Sequence, residues 1–204
     1  DLDGDGWLDL IVANATVQNF VFHNERNGTF TEIGAISGVA FDSNGSTRCA
    51  MGIDTGYFRN DQSLGIAIGN FANEMTALYV SAPNSPANFT DEAIAEGIGP
   101  ASRLLLKFGI FFFDYDLDGR LDVLTANGHL EEEISNIQQS QTYAQPAQLF
   151  WNAGDNPQGC FVSVSADKAG ADLFRSIVGR GSAFADIDGD GDLDALLTQI
   201  NGPP

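Results

Sequence analysis

The sequence predicts an all-β fold built from repeated four-stranded units, and three observations predict it. An Asp-rich loop recurs, as DLDGDGWLDLIVAN (1–14), DYDLDGRLDVLTAN (114–127) and DIDGDGDLDALLTQ (186–199). A second signature keeps step with it. VFHN (21–24), LYVS (78–81) and LFWN (149–152) are each followed by a turn and a phenylalanine: Phe30, Phe89 and Phe161. A third precedes the loops, as MGIDTGY, FGIFFFD and RGSAFAD. Motifs that recur in a set order report a structural repeat rather than a lone active site.

A degenerate loop, GYFRNDQSLGIAIGN (56–70), places Tyr57 at the first loop position, so loop starts fall at 1, 57, 114 and 186, spaced by 56, 57 and 72 residues. Each unit then reads as short strand, Asp loop, strand, turn, strand, Gly/Asn/Pro turn, strand. The strand segments are short, β-branched or aromatic, and bounded by turn residues. Helical pattern is weak everywhere except around 91–107 and 130–138. Four short antiparallel strands per unit is the arithmetic of a β-propeller blade, and a sandwich does not repeat its sequence this way. One propeller region is expected, with units at 1–49, 50–106, 107–177 and 178–204. The first unit lacks its opening strand and the last stops after its second. The expectation is a partial propeller of about three blades from a larger ring. The rival is a short chain whose ring a partner completes.

Composition narrows the function classes. With 43% hydrophobic residues and 15 Phe, the chain can bury a core and is too apolar for a disordered acidic tail. A formal charge of −19 disfavours nucleic acid and anionic membranes as partners, since both need a basic surface. No apolar run reaches the roughly 18 residues that cross a bilayer, and no signal peptide is visible. The most apolar stretch, LLLKFGIFFFDYD, carries Lys107 and reads as a buried strand. Cys49 and Cys160 are either two buried thiols or one disulfide.

The pattern D-x-D-x-D-G-x-x-D brings alternate side chains at positions 1, 3 and 5 toward one ion. Gly at 6 permits the turn, the carbonyl at 7 can point inward, and Asp at 9 closes the shell. Hard oxygen donors favour calcium over zinc or copper, and magnesium is disfavoured because it wants tight octahedral geometry and retains water. An EF-hand is rejected, because position 12 is Val12, Thr125 or Leu197 in a β-type run, where the EF-hand needs Glu. In the degenerate copy the ligand positions are Tyr57, Arg59, Asp61 and Gly65, so no calcium is expected there. Arg59 is instead expected to occupy the ion's place and bond Asp61.

Taken in order, DLDGDGWLDLIVANA, VFHNERNGTFTEI, DYDLDGRLDVLTANGH, QTYAQPAQLFWNAGD and GRGSAFADIDGDGDLDALLTQINGP resemble FG-GAP/VCBS-type repeats of integrin-like propellers. More narrowly they resemble the ASPIC/UnbV group that includes cartilage acidic protein. The resemblance spans nearly the whole chain and is thinnest in the second unit, where the Asp loop is eroded. It implies a secreted or cell-surface propeller, commonly seven-bladed, with calcium in the hairpin between the first two strands of a blade. Carried over by position, it implies three Ca2+ sites. Their carboxylates are Asp1, Asp3, Asp5 and Asp9; Asp114, Asp116, Asp118 and Asp122; and Asp186, Asp188, Asp190 and Asp194. The carbonyls of Trp7, Arg120 and Asp192 complete the shells, and no catalytic set is implied.

Three functions compete. The first is a calcium-stabilised extracellular scaffold for adhesion, matrix contact or assembly, its partner an extracellular protein or glycan, with self-assembly through open blade edges as a further possibility. The second is a lectin-like propeller using Trp7, Trp151 or Tyr143, against which stands the expectation that Trp151 packs between blades. The third is an enzyme using His129 with Glu131, Glu132 and Glu133 in the 128–148 insertion, against which stands a solvated loop. His23 reads as a surface or groove side chain rather than a ligand. Sequons at Asn14, Asn27, Asn44 and Asn88 matter only in a glycosylating secretory pathway.

Overall fold

The computed structural model describes residues 1–203. Its strands form four antiparallel sheets in chain order. The first has three strands, β1 (Leu10–Val12), β2 (Phe20–Asn24) and β3 (Phe30–Glu32). The second has four, β4 (Ala50–Gly56), β5 (Gly65–Asn70), β6 (Ala77–Ala82) and β7 (Ser85–Asp91). The third also has four, β8 (Lys107–Phe113), β9 (Asp122–Asn127), β10 (Gln148–Asn152) and β11 (Phe161–Ser163). The fourth pairs β12 (Gly179–Ala185) with β13 (Asp194–Gln199). Short helices α1 (Gly34–Ser37), α2 (Ile98–Ser102), α3 (Ile134–Ile137) and α4 (Ala166–Ala169) sit in the connections. The second and third lie in the segments where helical pattern was expected; the first and fourth are single turns too short for the sequence to announce. Among the described residues no helix is long and apolar enough to cross a membrane.

Period-two alternation explains how the sheets stack. Along β5, Ile66 and Ile68 face a core shared with Val21 and Val39 of the first unit, while Ala67 faces the core of the next sheet. Along β6, Tyr79 joins the former, and Leu78 and Val80 the latter. Along β8, Ile110 and Phe112 pack toward the second sheet, whereas Phe111 and Phe113 pack toward Leu193 and Leu197 of the fourth. Strands β5, β6, β8 and β9 are therefore buried on both faces, whereas the outer strands β7 and β11 are largely exposed.

The opening strands of successive sheets lie against one another, and glycine permits the contact. A Cβ on Gly52 would sit 2.2 Å from the Phe108 carbonyl oxygen, and one on Gly109 would sit 2.4 Å from Ser182 Oγ. Gly52→Ala should therefore cost about 1–3 kcal/mol by overpacking. Gly181→Ala, whose Cβ would meet only Thr198 Oγ1 at 3.1 Å, should cost much less. Paired urea unfolding curves check this, and equal midpoints would refute the close-approach account.

Both cysteines are free thiols, with Cys160 buried and Cys49 partly so. The Lys107 stretch forms the buried strand β8, as expected.

Candidate metal centres

The Asp loops lie at corresponding places in the sheets. The loop at 114–122 joins β8 to β9, that at 186–194 joins β12 to β13, and that at 1–9 leads into β1. The degenerate loop joins β4 to β5. Position 4 is left-handed in all four, at Gly4 (φ 76°), Asn60 (φ 54°), Leu117 (φ 57°) and Gly189 (φ 78°). Asn tolerates that region and leucine does so at a cost, so the turn itself is retained where the carboxylates are not.

Position 9 anchors the three aspartate loops, in the first and third units through both carboxylate oxygens. Asp122 accepts from the Tyr115 N–H at 2.9 Å and the Asn152 N–H at 2.7 Å. Asp9 likewise accepts from Leu2 at 2.7 Å and Asn24 at 2.9 Å, and Asp194 accepts from Ile187 at 2.9 Å. The Asn24 and Asn152 amides then cap the Leu8 and Leu121 carbonyls, each at 3.1 Å. In the second unit Gly65 replaces the aspartate, and Ser81 pairs directly with Leu64: its N–H donates to the Leu64 carbonyl at 2.9 Å, and its Oγ accepts the Leu64 N–H at 2.8 Å. Asp and Asn thus travel together, as do Gly and Ser. The same coupling is carried in the sequence by the last residue of VFHN, LFWN and LYVS.

Donor oxygens of Asp114, Asp116 and Asp122 lie within 4.8 Å of one another, as do those of Asp186, Asp188 and Asp194, and those of Asp1, Asp3 and Asp5. Asp3, Asp9 and His23 form a further group at the first loop. His23, expected as a surface or groove side chain, is about one quarter exposed, and its Nδ1 lies 3.2 Å from Asp9 and 3.7 Å from Asp3. Asp118 and Asp190 stand outside these groups. Asp118 pairs with Arg120, and Asp5 pairs with Arg26, whose Nε donates to it at 2.7 Å. The N–H groups of Trp7, Arg120 and Asp192 donate to the position-5 carboxylates at 2.8, 2.9 and 3.2 Å.

The electrostatics fit a cation. Burial pushes the Asp122 carboxyl up to about 6 against the lowering effect of its two N–H donors, and no basic side chain pairs with it among the described residues. In the last loop a hydrogen bond to Asp190 and repulsion from it hold the Asp192 carboxyl above the usual range. None of the five aspartates of that loop has a basic partner among the described residues. Crowded carboxylates of this kind, with only oxygen donors, suit a hard divalent ion.

The degenerate loop departs from expectation. Arg59 turns away from Asp61 and pairs with Glu92 and Glu96 beyond β7, while Asp61 accepts the Ser63 N–H at 2.6 Å. Two carboxylates outside the loop outcompete one within it. His129 is also not on a solvated loop: it is 4% exposed and stacks edge-on against Phe71, while Glu131, Glu132 and Glu133 face solvent. Its Nδ1 accepts the Glu131 N–H at 3.0 Å, which puts the proton on Nε2, and burial holds its pKa below the usual value. Trp151 packs in the core between the third and fourth sheets, and Trp7 is 47% exposed.

A family model for the FG-GAP-like repeat matches residues 1–68 and 114–197. The chain belongs to the FG-GAP-like repeat family, whose repeats are structural and adhesive rather than catalytic, and it is not an enzyme. No curated protein matches it.

Proposed function

We propose that the chain is a calcium-binding region of an extracellular β-propeller of the ASPIC/UnbV type, serving as a scaffold for adhesion, matrix contact or assembly. One observation carries the reading: the same loop, leading into the corresponding strand of the first, third and fourth sheets, gathers three or more carboxylates, and the clusters Asp114, Asp116, Asp122 and Asp186, Asp188, Asp194 have no basic partner among the described residues. The ligand sets are those carried over by position, with Asp118 released from Arg120 and Asp5 from Arg26 when the ion binds. Units at 1–49, 50–106, 107–177 and 178–204 are the blades or parts of blades. Calcium acts structurally, since affinity for the folded loop becomes folding stability. The partner is an extracellular protein or glycan, and unpaired strand edges allow self-association.

Thermal unfolding in calcium and in EDTA tests this. Each site held at about 10–100 times its dissociation constant contributes about 1.4–2.7 kcal/mol, and each kcal/mol raises Tm by roughly 2–4 °C in a chain of this size. Three sites should therefore raise Tm by about 10 °C or more. Magnesium should reproduce little of that rise, since it resists dehydration. Identical melting in calcium and EDTA would refute the metal assignment, and mass in solution reports self-association.

A glycan-binding reading is favoured by one cavity of about 230 Å³ beside the 114–122 loop, lined by Tyr115, Asp116, Trp151, Ser163 and Lys168. Two aromatic faces, an acceptor and a cation are what a sugar ring uses. Glycan-array binding lost in Trp151→Leu but retained in Trp7→Ala would place it there.

A further inference from the structure

We propose that the first loop is a mixed nitrogen–oxygen site in which His23 is a metal ligand, so that it accepts a borderline divalent cation such as Zn2+ or Co2+. The inference rests on reading the Asp loops as metal sites, and it concerns what distinguishes one loop from the others.

Strand register brings the imidazole there. Leu10 pairs with Phe22 across β1 and β2, which sets Asp9 opposite His23. The same register in the third sheet, Val123 with Phe150, sets Asp122 opposite Trp151. In the second, Gly65 pairs with Val80. Only the first unit therefore places a nitrogen donor across from the position-9 carboxylate among these three.

The distances suit shared coordination. Metal–nitrogen and metal–oxygen bonds of about 2.0–2.2 Å put neighbouring donor atoms roughly 3.0–3.5 Å apart. His23 Nδ1 lies 3.2 Å from Asp9 Oδ1 and 3.7 Å from Asp3 Oδ2. Asp9 is held from behind by the Leu2 and Asn24 N–H groups, and Asp3 Oδ1 by the Asp5 N–H at 3.1 Å, so Asp3 Oδ2 faces the imidazole with no other hydrogen bond among the described residues. Imidazole with carboxylate shifts preference from calcium toward zinc, cobalt and nickel, whereas an all-oxygen loop keeps a hard ion. The His23 side chain is about one quarter exposed, which leaves the ion a path from solvent.

The chain's two histidines make the test direct. In 15N-imidazole NMR, one equivalent of Zn2+ should move the His23 Nδ1 resonance and leave His129, buried with its Nδ1 engaged by Glu131, unchanged. Co2+ titration followed by absorbance should show one site weakened about tenfold or more in both His23→Ala and His23→Gln. Glutamine can still hydrogen-bond Asp9 but does not replace imidazole as a ligand, so retained Co2+ affinity in His23→Gln, or an unmoved His23 resonance, would overturn the proposal. The calcium-dependent rise in Tm should persist in both variants through the loops at 114–122 and 186–194. Its absence would refute the Asp-loop reading instead.

Discussion

In EDTA, Asp122→Ala is expected to lower stability by about 2–4 kcal/mol, while Asp116→Ala lowers it by less than about 0.5 kcal/mol. The two residues belong to one candidate site but hold different places in it. Asp122 is fully buried and both its oxygens receive backbone N–H groups, from Tyr115 at the start of the loop and Asn152 on the third strand. Its loss orphans both amides at a cost of about 1–3 kcal/mol each, and relief of its own buried charge returns part of that. Asp116 is exposed and lies 4.8 Å or less from its neighbours without such bonds. In calcium the pattern changes. Asp116→Ala should now forfeit the loop's share of the calcium-dependent rise, and Asp122→Ala should lose that share on top of its deficit in EDTA. Equal behaviour of the two variants in EDTA would mean that the position-9 carboxylate does not brace the hairpin.

Spacing along the chain made the repeat legible. Asp loops, the VFHN-type strands and the glycine strands occur in fixed order, and alternation of large side chains on β5, β6 and β8 follows from strands buried on both faces. What spacing does not reveal is the partner across a sheet or between units. Arg59 had an apparent partner two residues away, yet Glu92 and Glu96, brought near by the β6–β7 hairpin, take it. His129 stood beside three glutamates and looked solvated, but the sheet positions it against Phe71 from another unit. His23 is the instructive case. Aligning VFHN with LFWN and counting back from each hairpin would have set it opposite Asp9. The position is legible from register, whereas alternation alone reports only which face of the strand the imidazole occupies.

Raising pH from 7 to 9 is expected to stabilise the chain by about 2 kcal/mol relative to Lys107→Met. Lys107 is fully buried, and its Nζ donates to the Glu74 carbonyl at 2.6 Å and the Ser102 carbonyl at 3.0 Å. No acidic side chain pairs with it among the described residues. Burial therefore brings its pKa down to about 7, with Glu74 opposing and Arg48 assisting. The unfolded chain holds that proton to about pH 10.4, so between pH 7 and 10 it binds more protons than the folded state, and stability rises with pH. Below pH 7 both states are protonated and the dependence flattens. Two acceptors match the two N–H groups of a neutral amine, which is the form the fold prefers. Above about pH 9 the buried Cys160 thiol and Tyr79 hydroxyl, both held well above their usual values by burial, act in the opposite direction because the unfolded state ionises first. Those contributions are common to both proteins and cancel in the comparison. Lys107→Met should be nearly as stable as the parent at pH 6 and less stable by about 1–3 kcal/mol at pH 9, where Glu74 and Ser102 have lost a well-matched donor. Urea unfolding at half-unit intervals of pH decides it: parallel curves for the two proteins would show that the ammonium stays charged inside the fold, and the two carbonyls would then be holding an ion rather than an amine.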